Sequence, residues 1–400
     1  MKETFFQKLQ RVKIGDLGHI FLFLLALPAA LVYRLFRRDL WLVCDNKNEA
    51  RDNGYWFFKY LCEQCPEQDA VYAISKRSPD YRKVKQLGRT VRYGSLRHWV
   101  LYLAARVNIS SQKGGKPNAA VCYFLEVKGL IKNTRVFLQH GIIKDDMDWL
   151  HYENTKMRLF VTSTEREYKF LCEKFGYPEG SIIKTGLCRF DNLHSFTVKP
   201  RQLLLMPTWR SWIAAPTSAS KEIEDVSDFR STGYFRSWNA FLKSGRLARL
   251  LEENDLTLIF YPHRDMQRFL SYFELGSDRI VKASWPGYDV QELLKESAFL
   301  ITDYSSIAMD FAYMKKPLTY YQFDYDDFRR GQYSEGYFSY EKDGFGPVCY
   351  DLDELIAELK KAVTENFAEP ELYLKRQEAF FDLCDDKNCE RTYKCIKELL

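Results

Sequence analysis

The sequence predicts an α/β protein of two doubly wound, parallel-sheet domains behind a membrane-associating leader. Three observations predict it. From residue 39 onward, short apolar runs alternate with helical stretches, the pattern of buried strands joined by crossover helices. Near residue 200 the alternation starts afresh, as a second domain would. Finally, 46% of the 400 residues are hydrophobic, enough for two cores and too many for a disordered chain.

The leader spans residues 1–38. Phe5, Leu9 and Val12 fall at helical spacing with Lys8 and Arg11 between them, which predicts an amphipathic surface helix. Ile20–Tyr33 is the longest apolar run, fourteen residues with Pro28 inside. That is short of the roughly 20 residues a bilayer-crossing helix needs. Arg34, Arg37 and Arg38 follow without a small-x-small cleavage pattern, which argues against a secretory signal. The expectation is a monotopic anchor on an anionic cytoplasmic leaflet; the competing reading is a buried core helix with basic ends.

In the first domain, 39–198, residues 39–45 read as a buried strand and 52–64 as a helix opening at Asp52. Residues 69–75 read as a strand, 95–107 as a helix and 107–112 as a strand. Strands over 134–141 and 158–164 and a helix over 165–175 complete it, with a hinge near 195–202. The second domain, 199–400, opens with a strand over 203–210 and a polar loop over 211–232, long enough to be functional. A helix over 235–253, strands over 256–264 and 279–284 and a helix over 289–296 follow. Residues 298–317 read as strand, turn and helix, stopped by Pro317, and 318–323 as the closing strand.

Charge narrows the function. Of 59 basic and 54 acidic residues, seven and two lie in 1–38, so the body holds 52 of each and is neutral. It offers no basic stripe for a nucleic acid. The ten cysteines form no regular framework. Cys62 and Cys65, the only close pair, lack a second pair or a nearby His and read as incidental thiols in a reducing cytoplasm.

In open parallel sheets, ligands bind beyond the carboxyl ends of strands. Four strands here end in reactive or anion-binding side chains: His140-Gly141, Thr208-Trp209-Arg210, His263-Arg264 and Asp303-Tyr304-Ser305-Ser306. His140 is placed for general-base work near neutral pH, and Gly141 permits close approach; a histidine merely satisfied by hydrogen bonds is the alternative. His263, between Pro262 and Arg264, suits a diphosphate. Ser305 and Ser306 open a helix whose free N–H groups and dipole hold phosphate, unless one serine is only an N-cap. Asp310, one turn on, reaches a ribose or is an ordinary helix residue. Arg189 clamps phosphate or pairs with Asp191. The sequence shows no P-loop, no dinucleotide-binding Gly fingerprint and no Asp, Glu or His cluster at metal-ligand spacing, so kinase and ATPase readings fail.

QHG at 139–141, GLCRFDNL at 186–193, MPTWR at 206–210, YPHR at 261–264 and the long segment 301–328 resemble the CDP-glycerol glycerophosphotransferase family of teichoic-acid-type primases and polymerases. DNGYWFFKYL at 52–61 and residues 382–396 fit as well. Gln139 stands where the family usually has Trp, and Cys188 where Pro usually precedes the Arg. The resemblance implies a GT-B-like pair of Rossmann-type domains with the active cleft between them, peripheral at the inner membrane face. It implies transfer of a polyol phosphate from CDP-glycerol or another CDP-polyol to a lipid-linked, undecaprenyl-type acceptor, with release of CMP. His140 carries over as the base. His263, Ser305 and Ser306 carry over as holders of the donor diphosphate, with Thr208, Arg210 and Asp303 close by. No cofactor is expected to be required, although an auxiliary Mg²⁺ is compatible with the scheme. The rivals are a GT-B glycosyltransferase using a nucleotide sugar and a non-catalytic membrane-bound assembly scaffold.

Overall fold

The computed structural model describes residues 14–131, 133–214 and 226–400. The amphipathic helix expected around Phe5, Leu9 and Val12 lies outside the described residues, as does 215–225 of the 211–232 loop.

Helix α1, Ile14–Phe36, runs 23 residues through Pro28, about 35 Å at 1.5 Å per residue. It is thus longer than the apolar run that marks it, and Gly15–Phe36 is long and apolar enough to cross a membrane. One stripe docks on the body. Ala26 and Ala30 are buried, and Leu22, Phe23 and Tyr33 pack against the cluster of Leu42, Trp99 and Leu101. Trp99 Nε1 donates to His19 Nδ1 at 3.1 Å, and Asn118 Nδ2 donates to Asp16 at 2.7 Å. The other stripe exposes ten large apolar side chains, from Leu27 at 38% to Phe36 at 80%. A core helix buries such residues, whereas among the described residues this stripe stays open.

The chain then builds β1 Trp41–Cys44, α2 Asn53–Gln64, β2 Ala70–Ile74, α3 Tyr81–Leu87, β3 Thr90–Arg92, α4 Leu96–Ala104, β4 Val107–Ser110, α5 Ala119–Val127 and β5 Thr134–Phe137. α6 Tyr152–Thr155, β6 Leu159–Thr162, α7 Glu165–Lys174 and β7 Ile182–Lys184 follow. All seven strands are parallel, in the order β3-β2-β1-β4-β5-β6-β7. Helix starts are fixed by side-chain caps: Asp52, Ser95, Asn118 and Thr164 each accept a backbone N–H.

The second sheet contains β8 Lys199–Met206. After it come α8 Val226–Arg230, α9 Gly233–Leu242, α10 Gly245–Glu253, β9 Thr257–Phe260, β10 Ile280–Lys282, α11 Val290–Glu296, β11 Ser297–Thr302, α12 Ile307–Tyr313 and β12 Leu318–Tyr321. α13 Tyr325–Gly331, α14 Tyr340–Asp343, β13 Val348–Cys349, α15 Leu352–Thr364 and α16 Glu371–Phe380 complete it. These strands are also parallel, in the order β10-β9-β8-β11-β12-β13. The helix expected over 235–253 is two helices, because the chain turns at Lys243-Ser244. The sheet closes on β13 and not on 318–323, since two-residue Val348–Cys349 pairs with β12.

The last helix, α17 Asn388–Leu399, leaves the second unit for the first. The compact units are 1–142 with 147–192 and 385–400, and 143–146 with 193–384. This differs from a single boundary at 198, and the cause is local. Asp191 caps α17 by accepting from the Asn388 and Cys389 N–H groups, both at 2.9 Å, while Cys389 and Ile396 join the core of Trp41 and Phe57. Among the described residues all ten cysteines are free thiols, and burial pushes the Cys62 thiol up to about 11.

Candidate active site

Both sheets switch direction of winding between two central strands, β1 and β4 in the first and β8 and β11 in the second. In such sheets the carboxyl-end crevice at that point receives ligands.

In the first unit this crevice is built around Asp45, at the end of β1. Its carboxylate accepts from Gly54 N at 2.7 Å, Tyr55 N at 2.9 Å, Ser111 Oγ at 2.6 Å and Tyr72 Oη at 2.8 Å. It therefore occupies the amino end of α2, where a Rossmann sheet would receive phosphate. The approach requires Gly54, since a Cβ there would collide with Asp45 Oδ1. Burial, then the neighbouring Asp52, pushes the Asp45 carboxyl up to about 6.

Asp52 caps α2 and reaches His140, whose Nδ1 lies 2.5 Å from Asp52 Oδ2. A carboxylate at Nδ1 fixes the proton there and leaves Nε2 as the basic nitrogen, on a side chain that is 67% exposed. The Asp52 carboxylate raises the His140 pKa above 6.5, against the effect of desolvation. For Asp52, burial pushes upward, but the charges of His140 and Arg189 and the Asn53 N–H win, and its pKa is lowered.

The loop carrying His140 is clamped on both sides. Gln139 is 1% exposed and left-handed at φ +67°, a conformation costly for a residue with a side chain. It is held by Asn53 Nδ2, which donates to its carbonyl at 2.8 Å, and by its own amide, which donates to Glu167 Oε1 at 2.8 Å. Arg189 donates to Asp52 Oδ1 at 3.1 Å and to the His140 carbonyl at 2.6 Å. The guanidinium pairs with Asp52 and not with Asp191, and at 6% exposure it braces the dyad from below. Gly141 follows, half-buried. Sequence reasoning missed Asp45, Asn53 and the second role of Asp52; the only signal was an N-cap before an aromatic helix.

In the second unit, β9, β8 and β11 are adjacent, so the residues after them share one edge of the sheet. Arg210 and Asp303 are wholly buried. Arg210 pairs with Asp303 Oδ2 and Asp324 Oδ2, both at 2.8 Å, and donates to the Thr208 carbonyl at 2.9 Å. Asp303 Oδ1 accepts from Thr208 N at 2.8 Å and Tyr304 N at 2.7 Å. Arg210 and Asp303, expected close to the donor, turn their polar groups inward and set the loops. Asp310 is likewise 2% exposed, so it offers no surface to a ribose.

The residues that do face outward are Ser305, Ser306 and His263. Both serines are half-buried at the start of α12, and Ser306 makes no capping bond with its side chain. Ser305 Oγ accepts from Ile307 N at 3.4 Å. The His263 side chain is 40% exposed; its backbone N–H donates to the Pro207 carbonyl at 3.2 Å, its ring Nδ1 accepts from Asp265 N at 3.3 Å, and the ring lies 6.1 Å from that of Trp209. Thr208 Oγ1 is buried and has no hydrogen-bond partner. Arg264 lies 4.0 Å over the Trp285 ring. Around the short 3-10 helix Asp148–Leu150, Asp146, Asp148 and His151 bring ligand atoms within 4.8 Å of one another, a grouping the sequence reading overlooked and one common without an ion.

Two Rossmann-type sheets, with a carboxylate-held histidine on one and a serine-opened helix on the other, are the architecture of a nucleotide-binding α/β protein. Residues 27–398 match the model of the CDP-Glycerol:Poly(glycerophosphate) glycerophosphotransferase family, and the chain belongs to that family. It is 32% identical over 382 residues to the minor teichoic acid biosynthesis protein GgaB of Bacillus subtilis, covering 94% of this chain and 42% of that one. It is 33% identical over 380 residues to the teichoic acid poly(glycerol phosphate) polymerase of Bacillus spizizenii, covering 86% and 87%. The chain thus spans less than half of GgaB. Among solved structures, a variant of the wall teichoic acid polymerase TagF superposes with a TM-score of 0.62 at 14% identity, covering 97% of this chain and all of that one. The fold is accordingly GT-B-like, as expected.

Proposed function

We propose that the chain transfers a polyol phosphate from a CDP-polyol, CDP-glycerol first among them, to the terminal hydroxyl of a lipid-linked acceptor and releases CMP, in synthesis of a teichoic-acid or capsule-like polymer. The observation that carries this reading is the Asp52–His140 pair, 2.5 Å apart at the carboxyl end of a parallel strand. A hydroxyl nucleophile needs a positioned base, and a buried carboxylate behind an exposed imidazole supplies one. The acceptor oxygen attacks the β-phosphorus of the donor while its proton passes to His140 Nε2. The bond from that phosphorus to the bridging oxygen breaks, and CMP leaves with the electron pair.

Phosphoryl transfer asks mainly for positioning and charge stabilisation. Ser305, Ser306 and His263 hold the donor diphosphate, with Thr208 close by, and His263 stabilises charge on departing CMP. Arg210, Asp303 and Asp324 hold those loops in place, and Arg189 holds the His140 loop. The names of the relatives, glycerol- and ribitol-phosphate polymerases, support the donor class, as does a TagF variant soaked with CDPG. The apolar outer stripe of α1 supports peripheral seating on the cytoplasmic leaflet, beside the acceptor. No step is routed through a metal, so turnover is expected to persist in EDTA; loss of turnover restored by Mg²⁺ contradicts that part of the scheme.

A donor panel tests the reading. Mass spectrometry of a synthetic lipid acceptor should show the added mass of a polyol phosphate with CDP-glycerol or CDP-ribitol, matched by CMP. Sugar addition with release of UDP from a nucleotide sugar would make the chain a glycosyltransferase instead, and no product from any donor would leave the scaffold reading.

A further inference from the structure

We propose that a basic cavity at the amino-terminal edge of the first sheet binds an anionic lipid headgroup, a hydroxyl-bearing phosphodiester; this rests on the reading of α1 as seated in a membrane surface. The cavity, about 490 Å³, opens where α5 ends and β5 begins, and its walls include Lys128, Asn133, Arg135, Tyr152, Lys156 and Arg158. Since β5 starts at Thr134 and His140 follows its other end, the cavity and the imidazole are separated by up to roughly 20 Å of strand at 3.3 Å per residue. The cavity is therefore a different site from the one described above.

Its charge is unbalanced. The single carboxylate lining it, Glu126, is matched by Lys116 at 2.5 Å and Arg135 at 2.9 Å and also accepts from the Tyr102 hydroxyl. Among the described residues, Lys128, Lys156 and Arg158 have no carboxylate within 4.0 Å. Arg135 donates to the Thr155 carbonyl at 2.8 Å and so holds the chain before Lys156. Lys156 is left-handed at φ +51°, with its ammonium 4.4 Å over the Tyr152 ring, at the cavity wall. Asn133 donates to the Tyr102 carbonyl at 2.8 Å, while its Oδ1 is buried without a donor. Three unmatched cations call for phosphate, and an unfilled acceptor calls for a hydroxyl.

Exposed apolar side chains near the lining residues in the chain favour a lipid as the source of that group. Leu130, between the lining residues Gly129 and Ile131, is 64% exposed, and Phe124 on α5 is 48% exposed. α1, with its open apolar stripe, packs on the same α5. Cations that face a phosphodiester beside side chains that accept acyl chains are the two halves of interfacial lipid recognition.

Cosedimentation of the full chain with vesicles tests this. The wild type should bind phosphatidylcholine vesicles containing phosphatidylglycerol at least about tenfold better than pure phosphatidylcholine. Lys128→Gln, Lys156→Gln and Arg158→Gln together should abolish that preference, while Lys128→Arg, Lys156→Arg and Arg158→Lys together should keep it. Arg158→Gln alone, at an exposed position, should lower it several-fold without the risk of misfolding. A preference untouched by either Gln variant overturns the proposal. So does soluble glycerophosphoglycerol that binds the wild type as tightly as the vesicles do, which assigns the cavity to a soluble polyol phosphate. A wild type that sediments with neither vesicle overturns the seating of α1 itself, and the lipid source with it.

Discussion

His140 gains its chemistry from a partner 88 positions away. Asp52 holds Nδ1, raises the imidazole pKa above 6.5 and leaves Nε2 to act. A base must be unprotonated to work, so the rate should rise with pH through that raised value. Asp52→Asn should shift this limb to lower pH and reduce kcat by on the order of 10²–10⁴-fold, read from pH–rate profiles of both proteins. An unmoved limb removes Asp52 from its role. The places of His140, His263, Ser305 and Ser306 just past the ends of apolar strands were legible in the sequence, whatever chemistry they carry. Asp52, Asn53 and Asp45 were not, because their roles arise from β1, β4 and β5 lying side by side, which no local pattern encodes. That Arg210 and Asp303 are buried against each other was not legible either, because the pairing with Asp324 forms only after folding.

At the scale of elements, the buried charges decide stability. Arg210 lies between Asp303 and Asp324, and Arg210→Met should leave two carboxylates unpaired. That costs about 3–5 kcal/mol, measurable by urea unfolding; a loss below about 1 kcal/mol contradicts the bracing role. Asp45 titrates near 6 when folded, above its ordinary 3.8. The folded protein therefore binds this proton more tightly, and the group adds stability as pH falls from about 6 toward 4. Asp45→Asn should flatten that part of the stability profile, although its amide cannot accept all the bonds that the carboxylate does. On α1, Leu24→Asp with Leu31→Asp, on the exposed stripe, should abolish vesicle binding without lowering the thermal midpoint. A lowered midpoint would make the stripe part of the core. The apolar run announced this helix, but its full length depends on His19, Asp16 and the body they touch.

Across the whole molecule, the alternation of apolar runs with helical stretches revealed both Rossmann-type sheets, because buried parallel strands must be apolar throughout. Strands of two or three residues, such as Thr90–Arg92, Ile182–Lys184 and Val348–Cys349, carry too little pattern to stand out and take their conformation from the neighbour they pair with. The return of α17 to the first unit was equally invisible, since Asp191 and Asn388 meet only after folding. Removing 388–400 should destabilise the core of Trp41 and Phe57, detected as faster proteolysis within 39–192, while fragments of 199–384 stay protected; equal loss in both would contradict the division.

The central claim is that His140, held by Asp52, is the base of a polyol-phosphate transfer. CMP release from CDP-glycerol and a lipid-linked acceptor, compared between the wild type and His140→Ala, tests it most directly. Turnover should fall by at least about 10²-fold while CDP-glycerol still binds the variant. Turnover at the wild-type rate in His140→Ala would contradict it.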